Sequence, residues 1–241
     1  PEKKGREWNN SFRTVTKALG AARDVDVQII LVESFLTTLS SRETTGMNRL
    51  LLRLRQKRRS LQKEVVRAMN RLQHSGVIHD MEGCLRILLS PFILEKDTGS
   101  QNQIFNAACE EISARLSEVL GYTIYIHDPA RVTELHAMRI AAKHLRYSME
   151  SFEPVYEKKL ARYIKIVKNI QEMLGDIHDC DVWLEFLPEF LAQERELALE
   201  YIGHTRSVGR LRRGIEALEA DRRAFREKRY QEFVGYWEAN T

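Results

Sequence analysis

Apolar residues recur at intervals of three and four along nearly the whole chain, the period of an amphipathic helix, so the pattern predicts an all-α protein. The runs place helices over residues 6–19, 24–41, 46–73, 79–96, 101–120, 130–152, 156–174, 179–203 and 206–238. The single β-like stretch, "GYTIYIHDPA" at 121–130, reads as a linker, and Asp128-Pro129 suits a helix N-cap followed by proline at the first helical position.

In "ELHAMRIAAKHLRYSME", residues 134–150, the pattern splits into two faces. His136, Arg139, Lys143 and Arg146 fall within an arc of roughly 80° on a helix advancing about 100° per residue, with Tyr147 and Glu150 bordering it. Met138, Ala141, Leu145, Met149 and Phe152 form the opposite face, the one expected to be buried. Phe225, Tyr230, Phe233 and Trp237 also fall at helical spacing and read as core.

Composition adds little to this picture until charge is read locally. A 43% hydrophobic content over 241 residues supports a sizeable core, and 12 Gly with 5 Pro leave few helix breakers. The net charge of +4 conceals a segregation: residues 49–73 hold nine Lys or Arg against the single acid Glu64, whereas residues 172–200 are mostly acidic. Cys84, Cys109 and Cys180 are far apart and lack zinc-ligand spacing, which suits free thiols in a reducing cytoplasm. No apolar run approaches the ~18 residues of a membrane span, and no signal peptide is read at the start.

The chain also repeats itself. "ALGAARDVDV" at 18–27 aligns with "MLGDIHDCDV" at 173–182 at a constant offset of 155, matching Leu19, Gly20, Asp24, Asp26 and Val27 to Leu174, Gly175, Asp179, Asp181 and Val182. Upstream, Trp8 falls on Tyr163, Phe12 on Val167, Arg13 on Lys168 and Val15 on Ile170. A duplicated helix pair follows, with repeats over 1–127 and 128–241. Gly20 and Gly175 read as left-handed residues closing a helix, and Asp24 and Asp179 as N-caps of the next one. The alternatives are that Asp26 or Asp181 pairs with a basic residue across the bundle, or binds a metal. Subtracting 155 from His136 leads to a position before Pro1, so the counterpart of the opening helix is expected to be missing from this chain, either lost or trimmed.

Together, "HAMRIAAKHLRYSME", "LGAARDVDV" and "LGDIHDCDV" resemble the CHAD family, the conserved histidine α-helical domain. The resemblance implies two four-helix-bundle-like repeats related by pseudo-twofold symmetry, forming one unit with basic helices facing a central cavity. It also implies non-catalytic binding of inorganic polyphosphate, with a CYTH-type triphosphate hydrolase or a polyphosphate granule as partner. The residues that match the family's basic positions are His136, Arg139, Lys143 and Arg146, with Lys168 and Arg13 on the repeated helix and Lys57, Arg58 and Arg59 in the basic run. No cofactor is implied. The absent motif helix would leave an apolar face that favours oligomers.

The chemistry of the residues agrees with an anion site. Polyphosphate is a linear polyanion without bases, so its recognition needs cations at regular spacing: arginine offers a fixed fork and lysine a point charge. The acid-poor run at 49–73 cannot neutralise itself by pairing along the helix. The second reading is a nucleic-acid-binding protein, since the same cations suit RNA or DNA, and "DRRAFREKRYQEFVGYWEA" mixes Arg222, Arg223 and Lys228 with aromatics. A metal site at His178, Asp179 and Asp181 has only weak ligand spacing. No phosphate-gripping glycine loop, nucleophile elbow or paired-carboxylate site points to an enzyme.

Overall fold

The computed structural model describes residues 2–94, 98–156 and 158–240, with side chains at 4–88, 103–156 and 158–240. Every regular element among them is helical: α1 (Glu2–Leu36), α2 (Thr44–His74), α3 (Val77–Leu94), α4 (Thr98–Leu120), α5 (Val132–Phe152), α6 (Ala161–Ile202) and α7 (Gly209–Asn240), with 3-10 turns at Thr123–Tyr125 and Glu153–Tyr156. The end of the helix expected to reach residue 96 lies outside the described residues. None of the described helices is long and apolar enough to cross a membrane.

Where nine helices were expected, seven are seen among the described residues, because no turn occurs at Gly20 or Gly175. The buried positions Val15, Ala22, Val25 and Val32 keep one helical stripe running through Gly20, and Ile170, Leu174, Ile177, Cys180 and Leu187 do the same through Gly175. A glycine costs a helix only about 1 kcal/mol relative to alanine, less than burial of the stripe contributes. Asp24 and Asp179 therefore sit within helices and cap nothing. The left-handed glycines are instead Gly76 (φ 71°), between α2 and α3, and Gly203 (φ 75°), after α6, where the chain does turn.

The linker forms no strand. Ile126 is buried in a core cluster and the Tyr230 hydroxyl donates to its carbonyl at 2.7 Å, which ties this segment to α7. Asp128 does not cap α5: its Oδ1 accepts the Ala130 N–H at 3.0 Å and its Oδ2 pairs with Arg131 at 3.2 Å, closing a turn before the helix begins at Val132.

The chain divides into two compact units, Pro1–Lys96 with Gln193–Ala217 and Asp97–Ala192 with Leu218–Thr241. These do not coincide with the sequence halves 1–127 and 128–241. The end of α6 and the start of α7 join the unit of α1 and α2, and the 121–130 segment lies inside the other unit.

In the first unit α1 packs along α2, burying Val25 and Val32 on α1 and Met47, Leu50 and Leu54 on α2. The starts of α2 and α7 meet at backbone contact: a Cβ on Gly46 would lie 2.0 Å from the Leu211 carbonyl oxygen, and one on Gly214 would lie 2.1 Å from that of Glu43. The second unit is built on one core cluster. Leu135, Met138, Ala142, Leu145 and Met149 of α5 pack with Ile170, Leu174 and Ile177 of α6 and Tyr230, Phe233 and Trp237 of α7.

The glycines yield opposite expectations. Gly46→Ala or Gly214→Ala drives a methyl group into backbone that cannot rotate away and lowers stability by about 1–3 kcal/mol. Gly20→Ala meets nothing within 4 Å and raises it by about 0.5–1 kcal/mol. Urea unfolding of the three variants checks both signs.

Candidate functional site

The α5 face predicted from sequence is present in the second unit. Burial of Leu135, Met138, Leu145 and Met149 fixes the rotation of the helix, so that His136, Arg139, Lys143 and Arg146 lie along its other side. Two of these groups are unusual: His136 Nδ1 and Arg139 Nε are buried and have no hydrogen-bond partner among the described residues. They stand one turn apart. The His136 ring stacks on His178 of α6, with centroids 4.0 Å apart and planes inclined at 35°. Gly175 of α6 lies against Arg139: a Cβ there would stand 3.4 Å from Arg139 Nε, at ordinary contact distance, so a side chain longer than alanine would meet the guanidinium.

Further along α5, Lys143 is exposed and its ammonium lies 5.7 Å from the Tyr147 ring centroid. Arg146 is held firmly. Its Nε donates to Gln171 Oε1 at 2.8 Å, its Nη1 donates to Glu150 Oε1 at 2.5 Å, and its guanidinium carbon is 4.5 Å from the Tyr147 centroid. Lys168 is exposed one turn before Gln171 and pairs loosely with Glu172 at 3.8 Å.

The motif aspartates prove to be cross-helix anchors. Asp26 accepts from Arg58 Nε of α2 at 2.8 Å, and Asp181 accepts from Arg226 Nε of α7 at 2.5 Å. Arg226 also donates to the Pro129 carbonyl at 2.9 Å, fixing the approach to α5. A third pair joins Arg229 Nε to Asp176 at 2.7 Å, and Glu232 and Asp176 together hold the Arg229 guanidinium above its usual pKa. Other α7 cations are accompanied by acids of their own helix: Arg222 by Asp221, Arg223 by Glu219 and Lys228 by Glu232. Phe225 lies beneath Arg222 and Arg229, at 5.0 and 6.0 Å.

In the first unit, Lys57, Arg58 and Arg59 follow one another at about 100° and cannot share a face. Arg58 turns to Asp26, while Lys57 and Arg59 are exposed on either side of it; Arg13 is exposed on α1. The structure thus brings four predicted residues onto one α5 face with Lys168 in the same unit, and places the other four in the first unit. Sequence reasoning missed the roles of Gly175 and Gln171; it raised the pairing of Asp26 or Asp181 with a basic residue across the bundle but could not name Arg58 and Arg226, which lie 32 and 45 residues away. Among the described residues, no group of three or more His, Cys, Asp or Glu side chains is gathered to hold a metal ion.

Compared with protein families, residues 1–188 match the family model described as CHAD domain, which includes α5 and both aspartate motifs but stops before α7. Compared with curated proteins, the chain has no match.

Two outcomes follow from the anchoring geometry. Asp181→Ala strands Arg226, whose side chain is 13% exposed, and costs about 2–4 kcal/mol in urea unfolding, whereas the exposed mid-helix Asp24→Ala changes stability by less than about 0.5 kcal/mol. Burial pushes the Cys180 thiol up to about 11, so at a pH of about 8 it stays protonated and resists iodoacetamide while the exposed Cys109 is alkylated, as peptide mass mapping would show.

Proposed function

This chain belongs to the CHAD domain family, and from that premise we propose that it binds inorganic polyphosphate through cation-bearing helix faces, without catalysing its cleavage. The observation that carries the reading is the pair of buried polar atoms on α5, His136 Nδ1 and Arg139 Nε, that lack a partner among the described residues. Buried polar groups are nearly always satisfied, and an anion lying along this face would supply the missing acceptor for Arg139. Lys143 adds an exposed cation on the same face, and Arg146 one that Gln171 and Glu150 already orient.

The polymer class follows from spacing. From His136 to Arg146 the stripe is about 15 Å long at 1.5 Å per residue, which suits several successive phosphates better than one. Nucleic acid is the weaker reading because the C-terminal aromatics that suited a single strand, Tyr230, Phe233 and Trp237, are buried in the core. The proposal includes the duplicated architecture. Asp26 and Asp181, at equivalent positions of the two sequence motifs, each anchor an arginine of the helix that follows in their own unit, which supports two pseudo-symmetric repeats. It also includes Arg13, Lys57 and Arg59 as cations of the first repeat, action in the cytoplasm, and a polyphosphate granule or a CYTH-type triphosphate hydrolase as partner.

A fluorescence competition between long-chain polyphosphate and single-stranded RNA at fixed ionic strength tests the reading. Polyphosphate is expected to win, and Arg139→Ala/Lys143→Ala/Arg146→Ala to weaken its binding by at least about tenfold while circular dichroism stays unchanged. Equal binding of RNA, or an unaltered affinity in the folded variant, overturns it.

A further inference from the structure

The first unit contains a second cationic feature, remote in sequence from the α5 stripe and unlike it in chemistry. The first turns of α2, the last turns of α6 and the start of α7 enclose a groove of about 740 Å³, in the range of small-molecule sites. The Gly46 and Gly214 contacts make this corner rigid by holding α2 against α7 at backbone distance. Much of the groove lies in residues beyond the family match, which ends at 188.

Its walls combine two kinds of surface. Leu52, Leu197, Tyr201, Ile202 and Val208 provide an apolar side on which Leu52, Tyr201 and Ile202 are exposed to water. The same groove is lined by Arg49, Arg53 and Arg210, by the buried Glu194, and by the neutral polar Thr45, Asn48 and Ser207. Glu194 is only 5% exposed and accepts from Arg49 Nε at 2.6 Å and Arg53 Nε at 2.5 Å. Burial pushes its carboxyl pKa up, but the hydrogen bonds from Arg53 and Arg49 outweigh that and hold it below the usual range. One carboxylate therefore pins two guanidinium groups by their inner nitrogens and neutralises only one of them. Arg53 Nη1 reaches Gln56 at 3.2 Å, whereas the Nη atoms of Arg49 have no partner among the described residues. With Arg210, the groove carries a net charge of two positive units beside exposed hydrocarbon.

We propose that this groove binds an amphipathic anion, a small molecule whose phosphate or carboxylate head meets Arg49, Arg53 and Arg210 and whose hydrocarbon body lies on Leu52, Tyr201 and Ile202. Charge complementarity selects the head, and removal of apolar surface from water selects the body. Glu194 is a positioning residue. Inorganic polyphosphate has no apolar part and gains nothing from this wall, so the site is independent of the α5 proposal.

The test is calorimetric titration of the full chain with decyl phosphate and decanoate below their micellar concentrations, with decyltrimethylammonium and inorganic phosphate as controls. Binding of either anion, with the better one identifying the head group, is expected, with neither control binding within about tenfold of it. Sedimentation with vesicles containing phosphatidate assigns the source: co-sedimentation places the head group on a lipid, and its absence places it on a free metabolite. Arg49→Gln/Arg53→Gln/Glu194→Gln replaces the charge cluster by amides without leaving a lone buried charge, and should weaken binding by at least about tenfold. Ile202→Asp, at a position 58% exposed and clear of the cluster, should do the same with the fold intact by circular dichroism. Equal binding of the cationic amphiphile, full competition by inorganic phosphate, or undiminished affinity in folded Ile202→Asp would overturn the proposal. Retained binding in Arg139→Ala/Lys143→Ala/Arg146→Ala separates it from the polyphosphate reading.

Discussion

Burial of the apolar stripe of α5 is the constraint on which the candidate site depends. Leu135, Met138, Leu145 and Met149 are almost wholly removed from water, and each contributes about 1.5–3 kcal/mol. Turning the helix to hide its cations would expose that stripe, a loss that no exposed ion pair could offset. The core therefore decides where His136, Arg139, Lys143 and Arg146 point. It also decides what lies beneath them: the glycine at 175 lets α6 pass under Arg139, and His178 stacks on His136.

Carboxylates sort the remaining cations. Asp26, Asp176 and Asp181 each take an arginine from the next basic helix, and Glu194 takes two. The arginines paired with the three aspartates are committed to holding helices together, whereas Arg49 and Arg53 meet Glu194 through Nε and share one negative charge between them. The cations of α7 near Asp221, Glu219 and Glu232 are likewise partly balanced on their own helix. Lys143, Lys57, Arg59 and Arg13, in contrast, are exposed. A count of Lys and Arg along α2 or α7 thus overstates the field available to a ligand, because net charge says nothing about which fork already faces a carboxylate.

The parts of this arrangement that were legible in the sequence are those governed by local periodicity. The two faces of α5 and the buried aromatics of α7 follow from residues spaced three and four apart, and the structure buries Met138, Ala141, Leu145, Met149, Tyr230, Phe233 and Trp237. Gly20 and Gly175 misled because a glycine inside a helix and a glycine ending one differ only in backbone angles. Packing decides between them, and the apolar stripe of α1 and of α6 runs straight through. The 121–130 segment reads as a linker, but its packing was not legible: Ile126 is buried in the core cluster and its carbonyl accepts from Tyr230, 104 residues away. The compact units could not be read at all, since the joining of residues 193–217 to the first of them is a long-range contact that leaves no periodic trace.

The same distinction explains why the two anion sites proposed for this chain differ. On α5 the cations succeed one another along a helix, with two buried polar atoms unsatisfied among the described residues, an arrangement matched by a ligand whose charge repeats and whose shape is not fixed. In the groove of the first unit a single buried carboxylate pins Arg49 and Arg53, Arg210 adds a third guanidinium, and the exposed apolar side chains of Leu52, Tyr201 and Ile202 share the wall with Thr45, Asn48 and Ser207. A repeating polyanion gains from the first arrangement and draws nothing from the apolar part of the second, because desolvating its charges against Leu52 and Ile202 costs free energy without a compensating contact. Selectivity between the two ligands then rests on what surrounds the arginines and lysines.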